Sequence, residues 1–123
     1  QYDFVSGSRF IHGSRIIAPF ARKAATICLN GVLRIILGLK PHDLTGVFHA
    51  IKKEKFDQVN LRYNAVWGEF DMELFYLAIR MGFRIKEVPF TYDFRKEGKS
   101  KSENLLKYGW IYLFRAITIR LFR

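Results

Sequence analysis

A single cysteine, Cys28, stands in the whole chain, so an intrachain disulfide is excluded. It lies in an apolar helical stretch and is expected in the core rather than at a reactive site. Acidic residues are scarce beside basic ones: 11 Asp and Glu against 21 Lys and Arg, a net charge of +10. Partners are therefore expected to be anionic, whether phosphate groups, nucleic acid or an acidic membrane surface. The three histidines, His12, His42 and His49, make no zinc spacing, and Cys28 has no second cysteine beside it. No G-x-S-x-G occurs, which removes support for a serine hydrolase. Repeats and low-complexity tracts are absent. There is no initiator methionine and no signal or transit segment, and the chain opens almost at once on the strand-like "YDFVSGS". A preceding N-terminal part is expected to be missing.

What is present is mostly apolar. Half the residues are hydrophobic and 16% are aromatic, too much for a disordered chain. The 123 residues fit one domain, able to bury roughly two-thirds of its unfolded surface. Tyr2 to Ser6 reads as a strand entering a Gly-Ser loop. From Phe20 to Leu39 the pattern is helical, with Ile27, Asn30, Leu33, Arg34 and Leu37 on related faces and Gly38 as a stop. "PHDLTG" is turn chemistry. "VFHAIKK" alternates as a strand, with Val47, His49 and Ile51 on one face. Residues 53–67 are ambiguous, a short helix followed by loop. "FDMELFYLAIRMG" is a helix with Leu74, Leu77 and Ala78 inward and Gly82 closing it. "FRIKEVPFTYDF" reads as one strand, which Pro89 places at an edge or a bulge. Helices alternating with strands give an α/β class.

The tail from Asn104 to Arg123 carries Leu106, Trp110, Leu113, Ile117 and Leu121 at helical spacing, with Lys107, Arg115, Arg120 and Arg123 among them. Its length could span a bilayer, but arginine in hydrocarbon is costly. An amphipathic helix lying at a membrane interface fits better. An ordinary helix docked on a sheet is the plainer alternative.

"FRKEGKSK" places four cations around Gly98. Its "GKS" mimics the end of a P-loop, yet the glycine that motif needs five positions upstream is Asp93. Taken alone, the segment is a solvated turn. Other cations stand in loops or at a helix start: Arg9, Arg15, Arg22 and Lys101. Arginine offers phosphate a planar fork and lysine a mobile charge. Gly7 and Gly98 would let backbone N–H groups approach an anion. Each cation alone is equally well surface charge. Aromatics fall in the helical patterns instead of alternating with cations on strands, so nucleic acid is not expected as a partner.

The order of motifs carries more than any one of them. "GSRF" (Gly7 to Phe10), "RKAATICLN" (Arg22 to Asn30), "DLTGVFHA" (Asp43 to Ala50), "FDMEL" (Phe70 to Leu74), "GFRIKEVPF" (Gly82 to Phe90) and "RKEGKSK" (Arg95 to Lys101) follow one another. In that order the chain resembles the C-terminal half of family 2 glycosyltransferases of the dolichyl-phosphate mannose synthase and polyprenyl-phosphate type. The resemblance implies a GT-A type α/β fold. It implies transfer of a hexose, mannose foremost, from a GDP- or UDP-sugar to a polyprenyl phosphate at the cytoplasmic face of a membrane, with Mg²⁺ or Mn²⁺. Residues 1–101 would belong to the catalytic domain and residues 102–123 to an interfacial helix.

By the same likeness, Arg9, Arg22 and Thr26 match positions that bind the acceptor phosphate. Serine is common in the family where Thr26 stands, and either residue keeps the hydroxyl. Arg95 and Lys101 match the pair that grips the donor diphosphate. Asp43 and Glu73 match active-site positions, with positioning roles. A phosphate acceptor is already anionic, so the work is to align two anions and stabilise the leaving group, which cations do. Two departures stand out. His49 replaces the arginine frequent in the family, and no Asp-x-Asp metal motif occurs. Asp71 and Glu73 share that spacing but fall in a helix pattern. The chain alone is expected to be inactive, its metal ligands lying in the missing part. The rival from another class is a basic membrane- or nucleic-acid-binding module without catalysis.

Overall fold

The computed structural model describes residues 1–46, 48–61, 70–93 and 105–123, which form a mixed α/β structure. In chain order the elements are β1 (Phe4–Ser8), β2 (Arg15–Ile17), α1 (Phe20–Leu37), β3 (His49–Ile51), α2 (Lys53–Phe56), α3 (Phe70–Arg80), β4 (Ile85–Pro89), β5 (Thr91–Asp93) and α4 (Leu105–Phe122). β1 is the middle strand of a three-stranded sheet, antiparallel to β3 and parallel to β4. β2 and β5 pair in parallel as a separate ribbon.

β1 begins later than the hydrophobic pattern implies and continues through Ser8. Asp3 is taken up at its start: its carboxylate accepts from the Arg84 backbone N–H at 2.9 Å, and its carbonyl accepts from Lys52 N–H at 3.0 Å. The far end persists because Gly7 and Ser8 still pair with Val88 and Pro89. The single strand expected over 83–94 is two strands. Pro89 has no N–H to continue the ladder; it ends β4 at the edge of the described sheet. After Phe90 the chain joins β2 instead. β2 itself was not legible, being three residues long with only Ile16 half-buried.

α1 starts directly after Pro19 and ends where Gly38 adopts a left-handed conformation, φ 66°, that a side chain would strain. Asn30, Leu33 and Leu37 form its buried stripe. Cys28 is exposed, contrary to the expected core position. It lies seven residues from Ile35 and shares the outward face, because apolar residues occur all round this helix.

α3 places Phe75 against Phe4 of β1, edge to face with centroids 4.9 Å apart. With Met72, Leu74, Leu44 and the inner stripe of α1 it builds the core. Of the residues expected inward on α3, Leu74 and Ala78 are buried and Leu77 is half-buried.

α4 buries Tyr112, Ala116 and Ile119 and packs against α1, not on a sheet. Of the stripe singled out in the sequence, Leu106, Trp110, Ile117 and Leu121 are exposed, and Leu113 is half-buried against the core. α1 adds Phe20 and Ile35, which are 85% and 82% exposed. Among the described residues no helix is long and apolar enough to cross a membrane.

Candidate functional site

The site candidates gather at the C-terminal end of β1. Arg9 leaves that strand and its guanidinium forks onto Asp43, Nε to Oδ2 at 2.7 Å and Nη2 to Oδ1 at 2.8 Å. Its backbone N–H donates to the same carboxylate at 3.1 Å. Bidentate pairs of this kind fix both distance and plane. Asp43 is fully buried, and the Arg9 side chain is only 12% exposed. The guanidinium carbon also lies 5.2 Å and 5.4 Å from the ring centroids of Phe10 and Tyr92. Gly46 packs closely here, since a Cβ would stand 3.1 Å from the Asp43 carboxylate and press on it.

Three residues the motif reading did not assign, Asn30, Thr45 and Glu87, hold this joint. Asn30 donates from Nδ2 to Thr45 Oγ1 and to the Thr26 carbonyl, each at 3.0 Å, and accepts the Leu44 N–H at 2.7 Å. Thr45 Oγ1 also accepts from Arg9 Nη2 at 2.9 Å. Glu87 on β4 accepts the His42 N–H at 2.8 Å and the Asp43 N–H at 3.3 Å, and its second oxygen lies 2.9 Å from His42 Nδ1. The available signal for Asn30 was a lone amide on the stripe shared with Leu33 and Leu37. Glu87 gave none beyond its place on a strand.

The acceptor-phosphate candidates are thus in two conditions. Arg9 is engaged by Asp43. Thr26, half-buried in α1, donates its hydroxyl to the Arg22 carbonyl at 2.9 Å, the i−4 bond typical of a helical threonine. Arg22 lies in the first turn of α1 beside Lys23. That turn holds no acidic residue and no capping side chain, although the positive end of a helix dipole favours anions. Gly7 was expected to offer its N–H to an anion. That N–H donates instead to the Phe48 carbonyl at 2.6 Å, because β1 and the segment entering β3 run side by side. Arg95, Lys101 and Gly98 lie outside the described residues.

A second buried group sits at the start of α3. Asp71 Oδ1 lies 2.8 Å from His49 Nε2, and the His49 ring packs on Phe4 and Phe75. Burial pushes the Asp71 carboxyl above the ordinary carboxylate range, and the contact with His49 opposes that rise. Neither Asp71 oxygen, nor His49 Nδ1, has a hydrogen-bond partner of good geometry among the described residues. Glu73 is also fully buried. It projects away from Asp71, since positions two apart on a helix point to opposite sides. Among the described residues no group of three or more His, Cys, Asp or Glu could hold a metal ion.

Beside Arg9 a cleft of about 490 Å³ opens. The β1–β2 loop supplies Phe10, Ile11 and Ser14, β2 supplies Arg15 and Ile16, and α1 supplies Lys23 and Ile27. Its walls alternate cation and hydrocarbon.

No protein-family model matches the chain. Curated proteins do. Polyprenol monophosphomannose synthase of Mycolicibacterium smegmatis is 32% identical over 101 residues, covering 80% of this chain and 38% of that protein. Undecaprenyl-phosphate mannosyltransferase of Micrococcus luteus is 32% identical over 101 residues, covering 80% of this chain and 42% of its own length. The chain matches a partial region of the polyprenyl-phosphate glycosyltransferases. It spans well under half the length of these relatives. Within that region the Arg9–Asp43 joint brings "GSRF" and "DLTG" together, and Asn30 ties "RKAATICLN" to "DLTG". Motifs far apart in sequence are one structural unit.

Proposed function

We propose that this chain is part of an enzyme that transfers mannose, or another hexose, from a GDP- or UDP-sugar to a polyprenyl phosphate at the cytoplasmic face of a membrane. The observation that carries the proposal is the character of α1. Its first turn bears Arg22 and Lys23 where the helix dipole is already positive, an arrangement that an anion relieves. The same helix turns Phe20, Ile27 and Ile35 outward, and α4, which packs on it, also exposes apolar residues. An anionic headgroup with a hydrocarbon tail meets both requirements. The two mannosyltransferase relatives support the same reaction.

In this proposal residues 1–101 belong to a GT-A type catalytic domain and residues 102–123 form an interfacial helix. Arg9 and Asp43 position the acceptor side together with Arg22 and Thr26. Glu73 is buried behind it as a positioning group. Arg95 and Lys101 take the donor diphosphate. Two anions brought into line repel each other, and the cations lower that cost while stabilising the diphosphate as it leaves. The acceptor phosphate needs no strong base. Mg²⁺ or Mn²⁺ would add charge stabilisation at the diphosphate, held by residues other than those described here.

The test is transfer of radiolabelled mannose from GDP-mannose, or of labelled glucose from UDP-glucose, by the intact protein in liposomes containing polyprenyl phosphate. Label should enter the organic phase with one of the donors, and Arg95→Ala should lower kcat/KM about tenfold through loss of a charge-assisted contact. Absence of labelled lipid with every hexose donor, with either metal supplied, would overturn the proposal.

A further inference from the structure

Arg9 takes its position from Asp43, and Asp43 takes its position from the turn that carries it. That turn is anchored from two sides. From α1, Asn30 accepts the Leu44 N–H at 2.7 Å and donates to Thr45 Oγ1 at 3.0 Å. From β4, Glu87 Oε1 accepts the His42 N–H at 2.8 Å and the Asp43 N–H at 3.3 Å, while Oε2 stands 2.9 Å from His42 Nδ1. The first anchor relates Arg9 to the helix that bears Arg22 and Thr26. The second relates it to a strand that continues in sequence, past Pro89 and β5, to Arg95 and Lys101.

A carboxylate is an awkward group beside a site proposed to align two anions, since like charges repel. The geometry supplies a reason for it. Both Glu87 oxygens are engaged by the turn, and the side chain is only 15% exposed. Glu87 also stands opposite Ser6 in the parallel ladder of β4 with β1, and β1 delivers Arg9 three residues further on. A closed circuit results: β1 to Arg9, Arg9 to Asp43, the Asp43 backbone to Glu87, and β4 back to β1. Such a circuit leaves the guanidinium little room to shift.

We infer that Glu87 is a positioning residue for the transfer reaction. It fixes the Asp43 turn, through that turn the Arg9 guanidinium, and through Arg9 the alignment of the acceptor side with the donor side. The inference rests on the reaction proposed above and adds a residue that the motif comparison leaves without a role. Glu87 acts by its place as a hydrogen-bond acceptor, not by charge and not by proton transfer. Alignment matters more in the transition state than in binding either partner, so its loss is read in kcat.

The experiment compares the intact parent with Glu87 variants in liposomes containing polyprenyl phosphate, using whichever of GDP-mannose and UDP-glucose the parent accepts. Each rate is divided by the folded fraction, measured by circular dichroism at the assay temperature. Glu87→Ala should lower kcat about tenfold or more, as a misplaced group does, and keep each KM within about threefold. Glu87→Gln keeps an oxygen for both backbone N–H groups and can donate to an unprotonated His42 Nδ1. It should return kcat to within about threefold of the parent. Glu87→Asp falls one methylene short and should rescue less. Where Glu87→Ala yields no folded enzyme, Glu87→Asp and Glu87→Gln carry the same contrast, kcat lowered in the first and kept in the second. If kcat per folded enzyme is unchanged in Glu87→Ala, the residue serves stability only, and this inference fails while the transfer reading stands. A loss confined to one KM assigns Glu87 to binding and also overturns it. So does a Glu87→Gln variant as slow as Glu87→Ala, since the residue then acts through its charge or its proton. A parent that transfers no hexose overturns the transfer reading and this inference together.

Discussion

Asp43 and Asp71 are both fully buried aspartates, yet they are held in different ways. Asp43 accepts three hydrogen bonds from Arg9 alone, and Gly46 packs closely against its carboxylate. Among the described residues Asp71 has one close polar contact, His49, and neither of its oxygens has a hydrogen bond of good geometry. The first is a closed joint. Its low-dielectric surroundings strengthen an ion pair whose geometry is already complete. The second keeps hydrogen-bonding capacity in reserve at the cost of a carboxyl pushed upward by burial. The difference teaches that burial alone does not define a role. What matters is how much of the buried group's capacity is already satisfied.

Breaking the closed joint should have the largest effect. Arg9→Ala leaves the Asp43 carboxylate buried without its fork, and loss of one member of a buried pair costs about 3–5 kcal/mol. Chemical denaturation should register that loss in the midpoint. Arg9→Lys should recover only part of it, since an ammonium cannot make both bonds in one plane. A variant as stable as the parent would show that Asp43 is held mainly by other groups.

Truncating the unpredicted member of the joint should come next. Asn30→Ala removes both donors and the acceptor that fix Thr45 and Leu44. It leaves the Leu44 N–H buried without a partner, a penalty of about 1–3 kcal/mol. Asn30→Asp should be no rescue, because the carboxylate keeps the acceptor but cannot donate to Thr45.

These residues also mark what the sequence could and could not disclose. The helices were legible because their apolar spacing and the stop glycines Gly38 and Gly82 act within a few residues. The family resemblance was legible because it depends on motif order. The pairing of Arg9 with Asp43 was not, since a separation of 34 residues is closed only by the sheet and α1. The division of 83–94 into β4 and β5 depended on β2, too short to announce itself. Cys28 was misplaced for a related reason. An apolar helix was taken to bury everything apolar, whereas α1 buries one stripe and exposes another. The outward face of α4 repeats that pattern. Trp110→Ser/Phe114→Ser should melt within about 0.5 kcal/mol of the parent, as surface changes do, while lowering binding of the intact protein to anionic vesicles in flotation. Undiminished flotation would remove α4 from the membrane contact.

The smallest change expected, and the one that isolates Asp71, depends on pH. A native carboxyl pKa raised above its unfolded value of about 3.8 means that the folded state binds the proton more tightly. The associated stability is complete below that unfolded value and is lost as pH rises through the native one. Asp71→Asn keeps an oxygen for His49 Nε2 but never bears the charge. The variant should therefore gain on the parent as pH rises from below 4 towards neutrality, and the two melting temperatures should converge in acid. Asp3 supplies the opposite case in the same fold. Hydrogen bonds from the Arg84 backbone and guanidinium hold its carboxyl well below the usual range, so its contribution is present at neutral pH and is lost as pH falls through that depressed value. Asp3→Asn should accordingly lose stability relative to the parent at neutral pH and approach it in strong acid. Parallel melts of the two variants across one pH series thus carry opposite signs. If Asp71→Asn instead falls behind the parent as pH rises, the contact with His49 outweighs the desolvation of Asp71, and the second aspartate is a closed joint like the first.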